Sequence, residues 1–506
     1  MNMLFAHQSF PGQYLHLAPA LARRGHTVIA LTVASTGSSV PGVKIVRYRT
    51  GGASAPAAGR QTPEFDTEVL LGERAAHTAL RLRSRGFSPD VICVHPGWSE
   101  ALFLKDVWPR ARLLSYCEFY QRQHGAELHF DREFGTAGVE QQTRQRTRNA
   151  CNLLSLEAAD WGVSPTHWQR SLFPQSSRAR ISVIHDGIDT ELAHPDPHAR
   201  FRVEQGNLEL ACGDEVVTFA SRDLKPERGF HVFMRALPEL LELRPAARVL
   251  VAGRDNGCAT SRASWKKILL DELDGKLDMS RVHFVGELSH SDLLRLLQVS
   301  AAHVYLTYPL ALSWSLLEAM SSGCLVVASR TPPVEEVVER GQNGLLVDFF
   351  NSSALARTVA SVLADPRAYA ALRKNARSHI IANYDLRTVC LPRHIEMVES
   401  LASKDMIISS GYNVYPEEIE CIIDEIDGVV ESAVVGVPHP DGGEAVTAVI
   451  VPKPGVHLSE QEVVTALKPK VANFMVPRHI FFVPELPRDT AGAVQKNLLR
   501  ARYTGA

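Results

Sequence analysis

Two arginines flank a predicted helix start near the middle of the chain, where they can hold an anion. The apolar run VVTFA predicts a strand that ends just before Arg222, and Arg228-Gly229 leads into a helical pattern. The first N–H groups of a helix have no partners within it, and the helix dipole places positive charge there. Guanidinium groups add fixed positive charge and paired donors. This combination favours a diphosphate.

A second helix start lies within Thr307–Ser329, a stretch that predicts a strand–helix–strand unit of a parallel sheet. The loop and helix start near Ser313 offer a further seat for an anion. Glu318 follows about one turn further along, where a carboxylate suits a sugar diol beside a bound phosphate. The spacing from Ser315 to Glu318 is also that of a capping box, in which the carboxylate only caps its own helix. The sequence leaves both roles open.

Residues at the ends of predicted strands form a third group of candidates. The N-terminal pattern of strand, SFPGQ loop, helix and strand is typical of a doubly wound fold, with Gly12 at the strand-to-helix turn. A glycine there lets backbone approach a ligand, although a plain turn glycine also fits. His95 and Glu118 end two further strands, DVICVHPG and RLLSYCEFY. Chemistry in α/β folds lies at such strand ends. Both are candidate catalytic residues, with a structural role as the alternative.

These residues need a scaffold of alternating strands and helices. Strands predicted at VVTFA, ARVLVAG, RVHFVGEL and HVYLT alternate with helices, and Gly286 ends the third of them. Together with the N-terminal alternation, this pattern predicts an α/β protein of two doubly wound, Rossmann-like lobes with a ligand cleft between them. We expect the lobes at 1–190 and 191–402. Residues 403–506 predict a separate small α+β domain.

The composition restricts the cellular location and the binding partners that we expect. The 506 residues are 45% hydrophobic and carry a net charge of −2, which gives no reason to expect nucleic acid as a partner. Eight cysteines without close pairing, and no long apolar run, predict a cytoplasmic protein with reduced thiols. The helix predicted at 141–158 has basic and apolar faces. It could contact a membrane surface or an acceptor, and the alternative interpretation is a face that is simply exposed to solvent. The oligomeric state is unknown at this stage.

The order of Arg222, Arg228, VHFVGEL, Glu318, the strand Gly323–Ser329 and the run GQNGLLV resembles the retaining, family 4 type of GT-B glycosyltransferases. The resemblance covers about residues 1–400. It implies a nucleotide-diphosphate sugar as donor and a carbohydrate, lipid-linked or small-molecule acceptor. It implies transfer with retention and without a metal or another cofactor.

The same resemblance assigns roles to single residues. Arg222 and Arg228 would bind the diphosphate together with the helix start at Ser313, and Glu318 would bind the ribose. Gly286 lies in the segment that would line the base, and Gly12 would close over the phosphate. Glu118 and His95 would orient the sugar or the acceptor.

The chain departs from this family at three places. The first glutamate of the family's E-x(7)-E motif falls at Leu310, which cannot bond a sugar hydroxyl. Two glycines that usually follow it fall at Ala311 and Ser313, which are small enough for backbone N–H groups to meet a phosphate. The family's His-Asp pair falls at Cys117-Glu118. Donor binding is expected to survive these changes, whereas the sugar that is recognised is left open.

The end of the chain resembles a different family. The runs KDMIISSGYNVYPEEIE, VVGVPHPDGGEAVTAVIV and ELPRDTAGAVQKNLLR are similar to the C-terminal lid domain of acyl-CoA synthetases, especially malonyl-CoA ligases. The family's catalytic lysine falls at Ala493, with Lys496 at a neighbouring position, and no Ser/Thr/Gly-rich ATP loop precedes the domain. A methyl group cannot bridge a carboxylate and a phosphate, so we expect no adenylation.

Several functions stay open. The tail is an inert fused remnant or a stabilising or interaction module, a weak site for CoA or a pantetheine arm, or a domain that acts in trans with a separate adenylating protein. For the whole chain, a retaining glycosyltransferase is the leading hypothesis. An acyl-CoA synthetase-related protein is a rival that Ala493 argues against. A non-catalytic nucleotide-sugar binding protein is a second rival, which Leu310 keeps open.

Overall fold

The computed structural model describes residues 1–33, 39–48, 63–122, 129–134, 138–204, 207–255, 263–403, 407–409, 412–439, 443–488, 492 and 494–504. Its first lobe is built on a parallel sheet of seven strands: β1 (Asn2–Ala6), β2 (Thr27–Thr32), β3 (Val43–Arg47), β4 (Val91–Val94), β5 (Arg112–Tyr116), β6 (Trp161–Ser164) and β7 (Ile181–Val183). The strand order is β3-β2-β1-β4-β5-β6-β7. The inner strands are almost wholly buried, as parallel strands are when helices cover both faces of a sheet.

Six α-helices belong to this lobe: α1 (Leu17–Arg23), α2 (Pro63–Ser84), α3 (Leu104–Val107), α4 (Val139–Ala158), α5 (His167–Leu172) and α6 (Gln175–Arg178). Three short 3-10 turns accompany them, at Gly12–Tyr14, Ser99–Ala101 and Arg132–Phe134. In a parallel sheet all the carboxyl ends lie at one edge, so the loops after β1, β4 and β5 meet there.

The second lobe repeats the design on six parallel strands: β10 (Val216–Asp223), β11 (Arg248–Arg254), β12 (Val282–Gly286), β13 (Ala302–Tyr305), β14 (Leu325–Ser329) and β15 (Leu345–Val347), in the order β12-β11-β10-β13-β14-β15. The antiparallel hairpin β8 (Arg200–Val203) and β9 (Leu208–Ala211) precedes it. Its α-helices are α7 (Phe230–Leu243), α8 (Trp265–Glu272), α9 (His290–Gln298), α10 (Trp314–Ser321), α11 (Pro332–Glu335), α12 (Ser352–Ala364) and α13 (Ala370–Tyr384), and a 3-10 turn, Pro226–Arg228, leads into α7.

The chain crosses back to the first lobe after α13. Ile188, just beyond β7, pairs with Asp385 where the two crossing segments meet. A π-helical turn, Leu386–Cys390, continues into α14 (Leu391–Ser403). Apolar residues of α14, including Val398, pack into the core that β1 and α1 form. Glu399 of this helix bonds Arg24 and lies 2.7 Å from His26.

The last domain has an α+β design. It contains the hairpin β16 (Ile407–Ser409) and β17 (Tyr412–Val414), the three-stranded sheet β18 (Val429–Pro438), β19 (Glu444–Pro452) and β20 (His479–Phe482), a 3-10 turn, Asn473–Met475, and the helices α15 (Pro416–Asp424), α16 (Glu460–Leu467) and α17 (Lys496–Tyr503). Tyr415 packs against the first-lobe core.

Two doubly wound lobes and a small third domain confirm the predicted fold class. Among the described residues, no helix has both the length and the apolar character that crossing a membrane requires.

Candidate functional site

His95 and Glu118, at the ends of the neighbouring strands β4 and β5, are hydrogen-bonded to each other. His95 Nε2 lies 3.1 Å from Glu118 Oε2. The backbone N–H of Gly97 donates to His95 Nδ1 over 3.2 Å, so Nε2 is the nitrogen that donates to the carboxylate. Trp98 stacks on this imidazole with 4.5 Å between ring centroids. The pair therefore has a defined tautomer and orientation.

The Glu118 carboxylate is influenced from both lobes. Burial raises its pKa, but the hydrogen bond from His95 and the positive charge of Arg222 lower it, and the pKa lies below its usual value. Arg222 belongs to the second lobe. The field of a second-lobe guanidinium therefore reaches this first-lobe carboxylate.

Sequence reasoning missed His7, which lies beside this pair directly after β1. The backbone N–H of Ser9 donates to its Nδ1 over 3.0 Å, and its ring contacts Trp98 with centroids 4.0 Å apart. Burial, followed by the field of His95, lowers the pKa of His7 to about 4, so the ring is neutral. The argument that selects His95 at a strand end applies equally to His7. A histidine at the end of a predicted strand was therefore a signal that the sequence already contained.

Gly12 follows in the loop after β1 with a left-handed backbone, φ +49°. A Cβ atom there would lie 2.3 Å from His7 Nε2. The missing side chain is therefore required by the packing of the His7 ring against the turn. The space that a side chain would take is filled by protein.

Arg222 and Arg228 lie on the second-lobe side. Arg222, near the end of β10, is exposed and has no hydrogen bond or ion pair to another residue in the described ranges. Arg228 is half-buried before α7, and its Nη1 donates to Thr307 Oγ1 over 3.1 Å. That bond ties Arg228 to the loop leading into α10. One guanidinium is thus anchored, and the other is left with its donors available.

The start of α10 presents unpaired backbone donors. Ser313 caps the helix, accepting from the N–H of Ser315, while its own N–H donates to the Tyr305 hydroxyl over 3.1 Å. Within the described ranges, the N–H groups of Ala311, Leu312 and Trp314 reach no acceptor. Free N–H groups at the positive end of a helix dipole make an anion seat. The donors belong to the neighbours of Ser313 and not to Ser313 itself.

Glu318 has a partner other than the one a capping box requires. The helix cap is Ser313, so the spacing from Ser315 to Glu318 does not form that box. Glu318 Oε1 instead lies 2.7 Å from Nε2 of His290, whose pKa this hydrogen bond raises. The carboxylate is 12% exposed. Gly286, at the end of β12, has φ +73° and faces open space.

Asp186 joins the two lobes and was not predicted from the sequence. Its Oδ2 accepts from Tyr116 of the first lobe over 2.7 Å and from the indole N–H of Trp314 of the second over 2.9 Å. Burial raises the pKa of Asp186 to about 7, against the lowering effect of these two hydrogen bonds. No motif marks this aspartate, because its partners lie far along the chain.

A segment of the first lobe, residues 129–134, reaches over to the second lobe; we call it the strap. Phe130 packs among Tyr308, Phe349 and Phe350, with ring centroids 5.0–5.2 Å apart. The buried carboxylate of Asp131 accepts from the Tyr308 hydroxyl over 2.8 Å. Leu310 packs onto the same second-lobe core. The strap therefore lies against the loop that precedes α10.

Asp131, Glu133 and His231 have ligand atoms within 4.8 Å of one another, a spacing that would suit a metal ion. Protein donors already occupy these atoms. His231 Nε2 lies 3.1 Å from Asp131 Oδ2, and Arg235 bonds both oxygens of Glu133 over 2.6 and 2.7 Å. A guanidinium on the same carboxylate disfavours a second cation. The cluster serves the contact between the lobes.

In the third domain, Lys496 is half-buried and forms an ion pair with Glu420, 2.8 Å from Nζ to Oε1. Its ammonium is therefore engaged within the domain. Ala493, the position that the ligase resemblance assigns to the lost lysine, lies outside the described residues.

Protein-family models match all three parts of the chain. Residues 24–193 match the model described as "Glycosyl transferase family 4 group", and residues 205–379 match "Glycosyl transferases group 1". Residues 418–493 match "AMP-binding enzyme C-terminal domain".

Solved structures share the two-lobed fold. Sucrose-phosphate synthase from Thermosynechococcus elongatus superposes with a TM-score of 0.62 at 19% identity, covering 80% of this chain and 100% of that one. HepE of Anabaena, solved in complex with UDP-glucose, gives a TM-score of 0.56 at 20% identity, covering 80% of this chain and 100% of that one. The lobes define a protein of the GT-B class.

Two curated relatives each match about a fifth of this chain. A substituted propanoyl:CoA ligase of Rhodococcus jostii is 54% identical over 97 residues, 19% of either chain. The long-chain-fatty-acid–CoA ligase FadD13 of Mycobacterium tuberculosis is 40% identical over 101 residues, 20% of either chain. The chain thus spans about a fifth of the length of these relatives. It joins two lobes that match glycosyltransferase family models to a domain that matches the model of the AMP-binding enzyme C-terminal domain.

Proposed function

We propose that the chain is a retaining glycosyltransferase that moves a sugar from a nucleotide-diphosphate donor to a hydroxyl acceptor. The observation that carries this proposal is the convergence on the loop before α10. There the anchored guanidinium of Arg228 meets the unpaired N–H groups of Ala311, Leu312 and Trp314. The positive charge of the exposed Arg222 reaches Glu118 of the first lobe and lowers its pKa. This arrangement suits the diphosphate of a donor bound to the second lobe.

The proposed chemistry follows from these charges. The bond between the anomeric carbon and the diphosphate oxygen breaks, and both electrons leave with the diphosphate. The guanidinium groups and the helix start stabilise the charge that develops there, which is why we propose a reaction without a metal. The acceptor hydroxyl attacks from the face that the leaving group vacates, and its proton passes to the departing diphosphate oxygen. His95 and Glu118 orient the sugar or the acceptor from the first lobe.

The donor site can be tested with Arg222→Ala. UDP, GDP and ADP are first titrated into the wild-type protein by calorimetry, with UDP-glucose as the first sugar donor because HepE was solved with it. Loss of a charged contact to phosphate, worth about 1.5–3 kcal/mol, predicts a roughly ten- to hundredfold weaker affinity. Turnover is followed as release of nucleoside diphosphate, with and without simple sugar acceptors.

Arg200→Ala is the matched control, because Arg200 is an exposed arginine of β8 that pairs with Glu209. It should leave nucleotide affinity unchanged. Equal affinity in the Arg222→Ala protein and the wild type would refute the role of Arg222. Tight binding of a nucleotide sugar with no release over hours would favour the binding-protein alternative, for which the apolar Leu310 is the motivating feature.

For the third domain, we propose a stabilising or interaction module without adenylating activity. The engagement of Lys496 by Glu420 supports this proposal, since the ammonium has a partner inside the domain. Full-length protein mixed with CoA should then show no heat of binding. A saturable signal would identify a CoA site instead.

A further inference from the structure

Asp186 lies on the segment that connects the lobes, in a position that the chain fixes closely. Gly187 follows it with φ +94°, and a Cβ atom there would lie 2.7 Å from the Cα of Leu386. Ile188 then pairs with Asp385 on the returning segment. The backbone next to Asp186 is therefore held at the crossing of the two connecting segments.

The carboxylate oxygen Oδ2 is shared between donors from the two lobes. The hydroxyl of Tyr116, a buried residue at the end of β5, fixes it from the first lobe over 2.7 Å. The indole N–H of Trp314 reaches it from the second lobe over 2.9 Å. Trp314 is 41% exposed, so neighbouring side chains do not enclose it. The hydrogen bond uses the one donor of the indole ring.

Trp314 is also the first residue of α10, and its backbone N–H is one of the three unpaired donors at the helix start. Holding the indole sets the orientation of the same residue's backbone. The neighbouring donor of Ser313 is committed to Tyr305. The direction in which the free N–H groups point therefore depends on both lobes.

We propose that Asp186 is a positioning residue. Through its hydrogen bond to Trp314 it fixes the start of α10 to the first lobe, so that the donor diphosphate binds to aligned N–H groups only when the two lobes are in the relative position that allows this bond. This inference rests on the proposed donor site. It adds that diphosphate affinity in the second lobe depends on a carboxylate of the first lobe.

The test compares Asp186→Ala, Asp186→Asn, Trp314→Phe and the double variant Asp186→Ala/Trp314→Phe in the full-length protein. Asp186→Ala and Trp314→Phe should each weaken binding of UDP, GDP or ADP, whichever the wild type binds, by about tenfold. The double variant should bind the nucleotide no more weakly than the single variant of lower affinity, because both substitutions remove the same hydrogen bond. Asp186→Asn retains an acceptor oxygen and should bind within about threefold of the wild type.

Hydrogen exchange at the bonded amides of the helix start, those of Ser313, Ser315 and Leu316, gives a second readout that needs no ligand. It should speed up at least about fivefold in Asp186→Ala and Trp314→Phe. Trp168→Phe is the control: the backbone N–H of Trp168 bonds Glu336 of the second lobe and survives the change. Neither affinity nor exchange at these three amides should alter in it.

Additive losses in the double variant, or unchanged exchange at the amides of Ser313, Ser315 and Leu316, would overturn the proposal. A wild-type protein that binds none of the three nucleotides would refute the donor site, and the exchange measurement would then still decide whether Asp186 holds the helix start. Should Asp186→Ala fail to fold, Trp314→Phe and Asp186→Asn supply the same comparison.

Discussion

Gly12 and Gly25 both adopt a left-handed backbone in the first lobe, yet their surroundings differ. A Cβ at Gly12 would lie 2.3 Å from His7 Nε2, whereas one at Gly25 would meet nothing within 4 Å. Gly25→Ala should therefore cost only the conformational penalty of about 1–2 kcal/mol. Gly12→Ala should lose about 1–3 kcal/mol more, because it also overpacks the His7 ring. Urea denaturation of the two variants measures the difference.

The comparison also bears on the role of Gly12. If Gly12→Ala were no less stable than Gly25→Ala, His7 would have room to move, and the close packing described above would be wrong. Nucleotide affinity measured on the same variants would show whether the turn also approaches a phosphate, as the family resemblance implies.

Single residues were predictable from sequence where their neighbours along the chain carry the signal. His95 and Glu118 stand out because each ends an apolar run, and the structure brings them together over 3.1 Å. Asp186 could not be found this way. Its partners, Tyr116 and Trp314, are 70 and 128 positions away. No local pattern specifies that meeting, since the packing of two lobes creates it.

The hydrogen bonds of the strap, residues 129–134, lead to a prediction about stability. Asp131 Oδ1 accepts the backbone N–H of Glu133 over 3.0 Å, and Oδ2 accepts from Tyr308. In Asp131→Asn one of these donors must face an NH₂ group. Leaving a buried donor unpaired predicts a loss of about 1–3 kcal/mol in the free energy of unfolding.

Glu133→Gln is the control within the same strap. Glu133 is 44% exposed and pairs with Arg235, so its loss should cost less than about 1 kcal/mol. Chemical denaturation of both variants, with hydrogen exchange at 129–134, separates the two effects. Equal losses would mean that the buried bond to Tyr308 contributes no more than a surface ion pair.

Elements were easier to predict than their ends. The strands and helices of both lobes follow from apolar runs separated by glycines, and the α/β fold class is confirmed. The start of α10 was less certain. The sequence offers Ser315 as a cap through its spacing from Glu318. In the structure Ser313 is the cap, accepting from the N–H of Ser315, and Glu318 pairs with His290. The choice depends on α9, which sequence spacing does not place.

Buried histidines make the stability of the whole molecule depend on pH. Burial lowers the pKa to about 4 in three of them and to about 3 in a fourth: His7, His303, His394 and His185. Unfolded histidines titrate near 6.5, so the unfolded chain binds more protons between these values. Their contribution to stability is complete above pH 6.5 and is lost as the pH falls towards 4.

Asp186 acts in the opposite direction. Its pKa of about 7 lies above the unfolded value of 3.8, so acidification below pH 7 favours the folded state at this one residue. Four histidines outweigh it, and the melting temperature should decrease steadily from pH 7.5 to pH 5. Calorimetry in matched ionic strength measures this trend. A melting temperature that rises over that interval would contradict the neutral state of the buried imidazoles.

The returning helix α14 ends on the first lobe, and the third domain begins where it stops, with Tyr415 packed into the same core. The third domain is therefore attached to the lobe that carries His95 and Glu118, and not to the lobe that carries Arg222 and Arg228. If the two lobes shift relative to each other, the third domain stays with His95 and Glu118.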